Sequence, residues 1–211
     1  MQGTFPFDLI LFGMVAAFLV LRLRSVLGKR QGFERPPQAA SGPVPASRQE
    51  AAAPPATKVP LSGPVAQTVS RIRAVDPGFD PAHFLAGAEG AFRMIVGGFA
   101  AGDRATLRNL LADEVYGGFE QAISERESQG HSQRTEVRNI QAMTVEDASL
   151  SGTVATITVR FVTDQVNMTT ASSGEIVSGS DAITELTDVW TFQRDLKSSD
   201  PAWRLVATRS L

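Results

Sequence analysis

Residues 76–103 read DPGFDPAHFLAGAEGAFRMIVGGFAAGD, and this stretch decides what kind of domain surrounds it. Asp80 offers a side-chain oxygen to cap a helix, and Pro81 suits a first turn, where a missing N–H costs nothing. From there Phe84, Leu85, Ala88, Phe92, Ile95, Val96 and Phe99 return at helical spacing and make one broad apolar face. Gly102 supplies a left-handed stop, and Asp103 caps a second helix made apolar on one side by Leu107, Leu110 and Leu111. A third helix is predicted over 113–129, with Val115, Tyr116, Phe119 and Ile123 inward and Gly130 just past its end. Gly97 and Gly98 interrupt the long helix at about 1 kcal/mol each relative to alanine. Close packing or a gentle bend would account for them.

Beyond Gly130 the apolar period falls from 3.6 to two, seen best in TVATITVRFV, with Gly152 marking a turn between two strands. TASSGEIVSGS reads as a polar connection, and AITELTDVWTFQRD and AWRLVATRSL as two further strands. Trp190 and Phe192 share one face, as do Trp203 and Leu205. Helices followed by about four antiparallel strands predict an α+β domain with the helices packed on one face of the sheet.

Upstream the composition changes. Residues 1–76 carry nine Lys/Arg against four acids, whereas 77–211 carry eleven against eighteen, a basic arm on an acidic body. Such asymmetry directs the arm toward an anionic surface such as lipid head groups, and an acidic body argues against nucleic acid. The run from Phe5 to Leu21 has a single charge, Asp8, and its length is near the lower limit of about 17 residues for crossing a bilayer core. No Lys or Arg precedes it, while Arg22, Arg24, Lys29 and Arg30 follow at once. That order is the reverse of a secretory signal and predicts a single span over residues 1–30 with its N-terminus outside and the rest cytoplasmic. The four cations are candidate lipid head-group contacts. Residues 31–62, rich in Pro and Ala, predict a disordered linker, and the domain is expected over 63–211. Val65, Val69, Ile72 and Val75 open that domain with a short helix, which could pack on the domain or lie on a membrane surface.

Taken in order, DPGFDPAHFLAGAEGAFRMIVGGFAAGDRATLRNLLADEVYGGFEQAISERESQG, DVWTFQRD and PAWRLVATRS resemble the Tim44-like domain over about 63–211. That is the C-terminal domain of a mitochondrial inner-membrane translocase subunit and its bacterial relatives, the Tim44/TimA family. The anchor with LRLRSVLGKR resembles the bacterial members too. The resemblance implies an NTF2-like cone, helices wrapped by a curved antiparallel sheet around an apolar pocket, in a membrane-associated adaptor. In mitochondria the family member recruits a chaperone motor. This chain has its own expected span and lacks the long charged region that engages that motor, so motor recruitment does not carry over. The domain, the inner-membrane location and an adaptor role with membrane or chaperone proteins as partners do.

Catalytic chemistry has little material. The chain has no cysteine, which excludes disulfides, thiolate metal sites and thiol nucleophiles, and only two imidazoles, His83 and His131. Asp164, Glu185 and Asp188 fit outward strand positions, and Glu125-Arg126-Glu127 reads as a surface run of helix-face ion pairs. No Gly-x-Ser-x-Gly elbow or phosphate loop occurs. We therefore expect no enzyme, no metal and no cofactor. The alternative to an adaptor is a binder of lipid or a small apolar ligand, with Phe92, Ile95, Phe99, Phe119 and Trp190 lining the pocket. The same side chains equally suit a packed core.

Overall fold

Asp80 caps as its position suggests: its Oδ1 accepts the His83 N–H at 2.8 Å, and Pro81 opens a helix. In the computed structural model, which describes residues 61 and 63–211, that helix runs Pro81–Ala101 and is here α2. Before it lies α1 (Gly63–Val75); after it come α3 (Arg104–Leu110) and α4 (Asp113–Ser128). Gly102 takes a left-handed φ of 72°, so that the Asp103 N–H folds back to the Gly98 carbonyl at 2.8 Å and closes α2. Asp103 then caps α3 by accepting the Thr106 N–H at 3.0 Å. Among the described residues α2 is the one helix long and apolar enough to cross a membrane. Its apolar face is nevertheless spent on the domain, with Phe84, Leu85, Ala88, Phe92 and Ile95 buried.

The sheet has four strands in sequence order, each antiparallel to the next: β1 (Ser132–Ser151), β2 (Val154–Thr170), β3 (Ile176–Asp195) and β4 (Arg204–Ser210). β2 alternates as a half-buried strand should, with Ala155, Ile157, Val159, Phe161, Thr163 and Gln165 all buried on the helix side. β1 does not alternate, and its pairing shows why. Irregularities at Val137/Asn139, Ile140/Ala142 and Val145/Asp147 each shift the register. They keep Val137, Ile140, Met143, Val145, Ala148 and Leu150 opposite the inward residues of β2, so an apolar residue recurs every two or three positions. Bulges of this kind bend the strand and increase its twist, which curls the sheet toward the helices.

The expected polar connection over 170–180 is shorter than its composition suggests, because β3 already pairs from Ile176 and the turn occupies only 171–175. Gly179, read from sequence as a loop residue, lies within the strand at φ 77°. A Cβ there would sit 2.1 Å from the Asn167 carbonyl oxygen, so the pairing requires glycine. Gly97 and Gly98 differ from it. A methyl at Gly98 would make ordinary contact with Leu107 at 3.6 Å, and one at Gly97 would meet nothing within 4 Å. Close packing therefore does not explain Gly97.

α1 lays Val69 and Ile72 on the core, and the Arg71 Nη2 donates to the Leu150 carbonyl of β1 at 3.3 Å. Leu61 also packs against the core, whereas the anchor and the rest of the linker expected from sequence lie outside the described residues. At the next turn Arg194 of β3 pairs with Asp76 at 3.3 Å and holds the entry to α2 against the sheet. Gly97→Ala should raise stability by about 0.5–1 kcal/mol. Gly179→Ala should lower it by more than the roughly 1–2 kcal/mol of a left-handed alanine alone, because backbone must also move. Urea unfolding followed by the fluorescence of Trp190 and Trp203, both packed in this core, reads out each change.

Candidate functional site

The five residues expected to line a pocket fall into two groups. Phe92, Ile95 and Trp190 are buried in the middle of the helix–sheet interface. The Phe92 ring lies 4.5 Å from that of Trp190 and stacks at 4.6 Å on Phe161, a residue missed in the sequence reading. Phe161 is on the inward phase of β2, and the alternation of TVATITVRFV marks it. Phe99 and Phe119 meet edge-to-face at 5.2 Å near the C-terminal end of α2, where both are only partly buried. Ring-to-ring contact occupies the space between the central aromatics.

Farther along the inner face the lining turns polar and neutral. Thr163 and Gln165 are buried, and the Gln165 Nε2 donates to the Thr163 Oγ1 at 2.8 Å. The row continues through Asn167, whose Oδ1 accepts the Thr135 hydroxyl at 2.6 Å, to Gln133. Arg126 closes it, donating to the Gln133 Oε1 at 2.6 Å and to the Phe99 and Ala100 carbonyls at 2.8 and 3.2 Å. This corrects the reading of 125–127 as a surface run. Glu125 and Glu127 are exposed as expected, and Glu127 pairs with Arg104 at 2.9 Å; Arg126 is the one that departs. Arg126 turns inward, caps the end of α2 and lies 5.1 Å over the Phe99 ring, and burial holds its guanidinium below the usual value. Its spacing of three from the buried Ile123 was the available signal.

Asp188 is the second correction. Asp164 does face outward, hydrogen-bonded to Gln141 at 2.8 Å, and Glu185 is exposed. Asp188 pairs across from Phe161 and so shares the inner face with Trp190 and Phe192. Counting back by twos from Trp190 would have found it. Burial pushes its carboxyl above the ordinary range, partly opposed by the Ser210 hydroxyl donating at 2.6 Å.

An isolated carboxyl beside one hydroxyl is not an acid–base pair, and neither histidine is close in sequence to it. His83 gives its backbone N–H to Asp80, and His131 follows α4. Among the described residues no group of three potential metal ligands converges. Two grooves of about 330 and 220 Å³ open elsewhere. One lies on the outer sheet face at Glu146, Thr158, Thr191 and Arg209, the other at Arg194, Asp200 and Arg204; neither is bounded by the five expected pocket residues. The expected lipid contacts Arg22, Arg24, Lys29 and Arg30 lie outside the described residues.

The sequence profile of the Tim44-like domain matches residues 65–210, nearly the whole α+β unit. The chain belongs to the Tim44-like domain family. No curated protein sequence matches it. Among solved structures it is similar to the intermembrane space region of the chloroplast protein ARC6, at 12% identity and a TM-score of 0.47 over 63% of this chain and 98% of that one. A periplasmic fragment of TraM shares 14% identity at a TM-score of 0.40, over 63% and 97% of the two chains. A dehydratase-like protein of the NTF2-like family from Streptomyces avermitilis shares 12% at 0.39, over 62% and 97%. The Tim44-like domain of this chain has the expected α+β arrangement, helices on one face of a four-stranded antiparallel sheet.

Asp188 gives a pH test of this interior. A carboxyl whose folded pKa is raised binds its proton more tightly folded than unfolded. Its contribution to stability is therefore full below the ordinary carboxylate range and is lost as pH rises through the raised value. Asp188→Asn keeps an acceptor for Ser210 and removes the charge. It should be more stable than wild type at neutral pH, with the difference closing in acid, as measured by urea midpoints across pH.

Proposed function

We propose that this protein is a non-enzymatic adaptor that holds a Tim44-like domain at the cytoplasmic face of a bacterial inner membrane. The observation that carries this reading is the Tim44-like match over 65–210 behind an apolar run and its four following cations. The family supplies the membrane-associated adaptor role, and the charge order supplies the topology, N-terminus out and domain in. Arg22, Arg24, Lys29 and Arg30 would hold anionic head groups, and the linker would let the domain reach neighbouring membrane or chaperone proteins of translocation or envelope assemblies. The interior supports packing over ligand binding or catalysis, because its aromatic centre is filled and its polar row is neutral and internally hydrogen-bonded. Carrying an apolar ligand would require Phe92, Phe161 and Trp190 to separate.

Crosslinking in cells, followed by capture of the full chain and of residues 63–211 alone, separates these readings. An adaptor recovers specific membrane or chaperone proteins only with its anchor. A carrier recovers one lipid or small molecule with both, and that result would overturn the adaptor reading. Replacing the four cations with neutral residues should weaken or invert the topology in a protease-protection assay; an unchanged orientation would remove the support that charge order gives.

A further inference from the structure

β4 covers only part of the edge of β3. Their pairing spans Asp188 to Gln193 and ends where the Leu211 N–H reaches the Thr187 carbonyl at 2.9 Å. From Ile176 to Leu186 the outer edge of β3 has no neighbouring strand among the described residues. Among the described residues the large apolar side chains left exposed are Met94, Ile176, Val177, Ile183 and Leu211, and all but Met94 gather at this edge. Unpaired backbone beside exposed apolar side chains is a template for another strand.

Charge narrows the occupant. Glu175, Asp181 and Glu185 stand along the same stretch, and among the described residues none has a basic partner. No Lys or Arg occurs from Thr170 to Phe192. A second copy pairing through the same edge would set these acids against their own likes, which is destabilising across a ladder. The chain's own linker is a poor strand. Prolines recur through it, and its longest proline-free run, ASRQEAAA, contains no β-branched or aromatic residue.

We propose that the free edge of β3 receives an extended segment of a partner protein, in which β-branched residues alternate with Lys or Arg. Backbone hydrogen bonds to β3 supply the affinity, and the acids select a basic strand over a neutral or acidic one. This inference rests on the adaptor reading and gives it a docking surface.

The backbone supplies a clean test. The Thr187 carbonyl points toward β4, so strand alternation turns the N–H and C=O of Glu185 to the same open side. Glu185→Pro removes an outward donor and leaves the β2–β3 ladder its own bonds; Glu185→Lys keeps the donor and reverses the charge. The full chain, in nanodiscs of uncharged phosphatidylcholine, is titrated by calorimetry with a short monomeric peptide alternating valine and threonine with lysine. A control peptide carries glutamate in place of lysine. We expect binding of the lysine peptide only, weakened about tenfold or more by either variant and by added salt. Binding that ignores Glu185→Pro, equal binding of the glutamate peptide, or no binding would overturn the proposal. So would dimerisation of the chain that Glu185→Pro abolishes, which would assign the edge to a second copy. Cellular capture of membrane proteins that survives Glu185→Pro overturns the edge and leaves the adaptor reading intact. Peptide binding with no captured partners overturns the adaptor reading alone.

Discussion

The contact of Phe92 with Phe161, on which it stacks, and with Trp190, which it meets at a tilt, joins the helical layer to the sheet, and the rest of the domain is arranged around it. Phe92 is fully buried, with its ring centroid 4.6 Å from one partner and 4.5 Å from the other. From there aromatic contacts run without a gap through Phe192 and Phe84 to Trp203 and Phe79. Each such pair is worth about 0.5–1.5 kcal/mol beyond the area it buries. A two-layer domain has one interface in which to place its apolar surface, so the face of α2 and the inner face of β2 and β3 must match along their length.

Polar groups finish what the aromatics begin. Where α2 ends, Arg126 satisfies two of its last carbonyls and links them to the neutral row through Gln133, Thr135, Asn167 and Gln165. Buried groups of this kind cost little only when each finds a partner, and this chain of bonds provides one at every step. Asp188 stands apart from this row, an inward carboxyl with a single hydroxyl partner, and burial keeps its proton affinity high. At the other end of the domain the Asp76–Arg194 pair, mostly buried, fixes the turn into α2. A partly desolvated pair of this kind specifies position more than it adds stability.

This distribution separates the domain's inside from its means of contact. The interior is committed to packing. The surface differs: β4 stops short, and among the described residues an acidic, apolar-flecked edge of β3 remains open. A domain with an open strand edge suits the adaptor role proposed for it.

The sequence by itself determined the class of the fold and its helix ends. Those features depend on neighbours a few residues apart: Asp80 before Pro81, Gly102 before Asp103, and the 3.6-residue return of Phe84 to Phe99. It also carried the family, whose residues are spread over the whole domain, and the alternation of β2, which faces helices on one side only. The tertiary structure decided the rest. β1 hides its pattern because bulges reset its phase at three places, and a bulge depends on the partner strand. Gly179 looked like loop because its requirement comes from Asn167, twelve positions earlier in the chain. Arg126 and Asp188 looked like surface charge because only packing shows which side of a helix or strand is enclosed. Short-range stereochemistry can be read along a chain, but the burial of a charge and the openness of an edge exist only between segments that folding brings together.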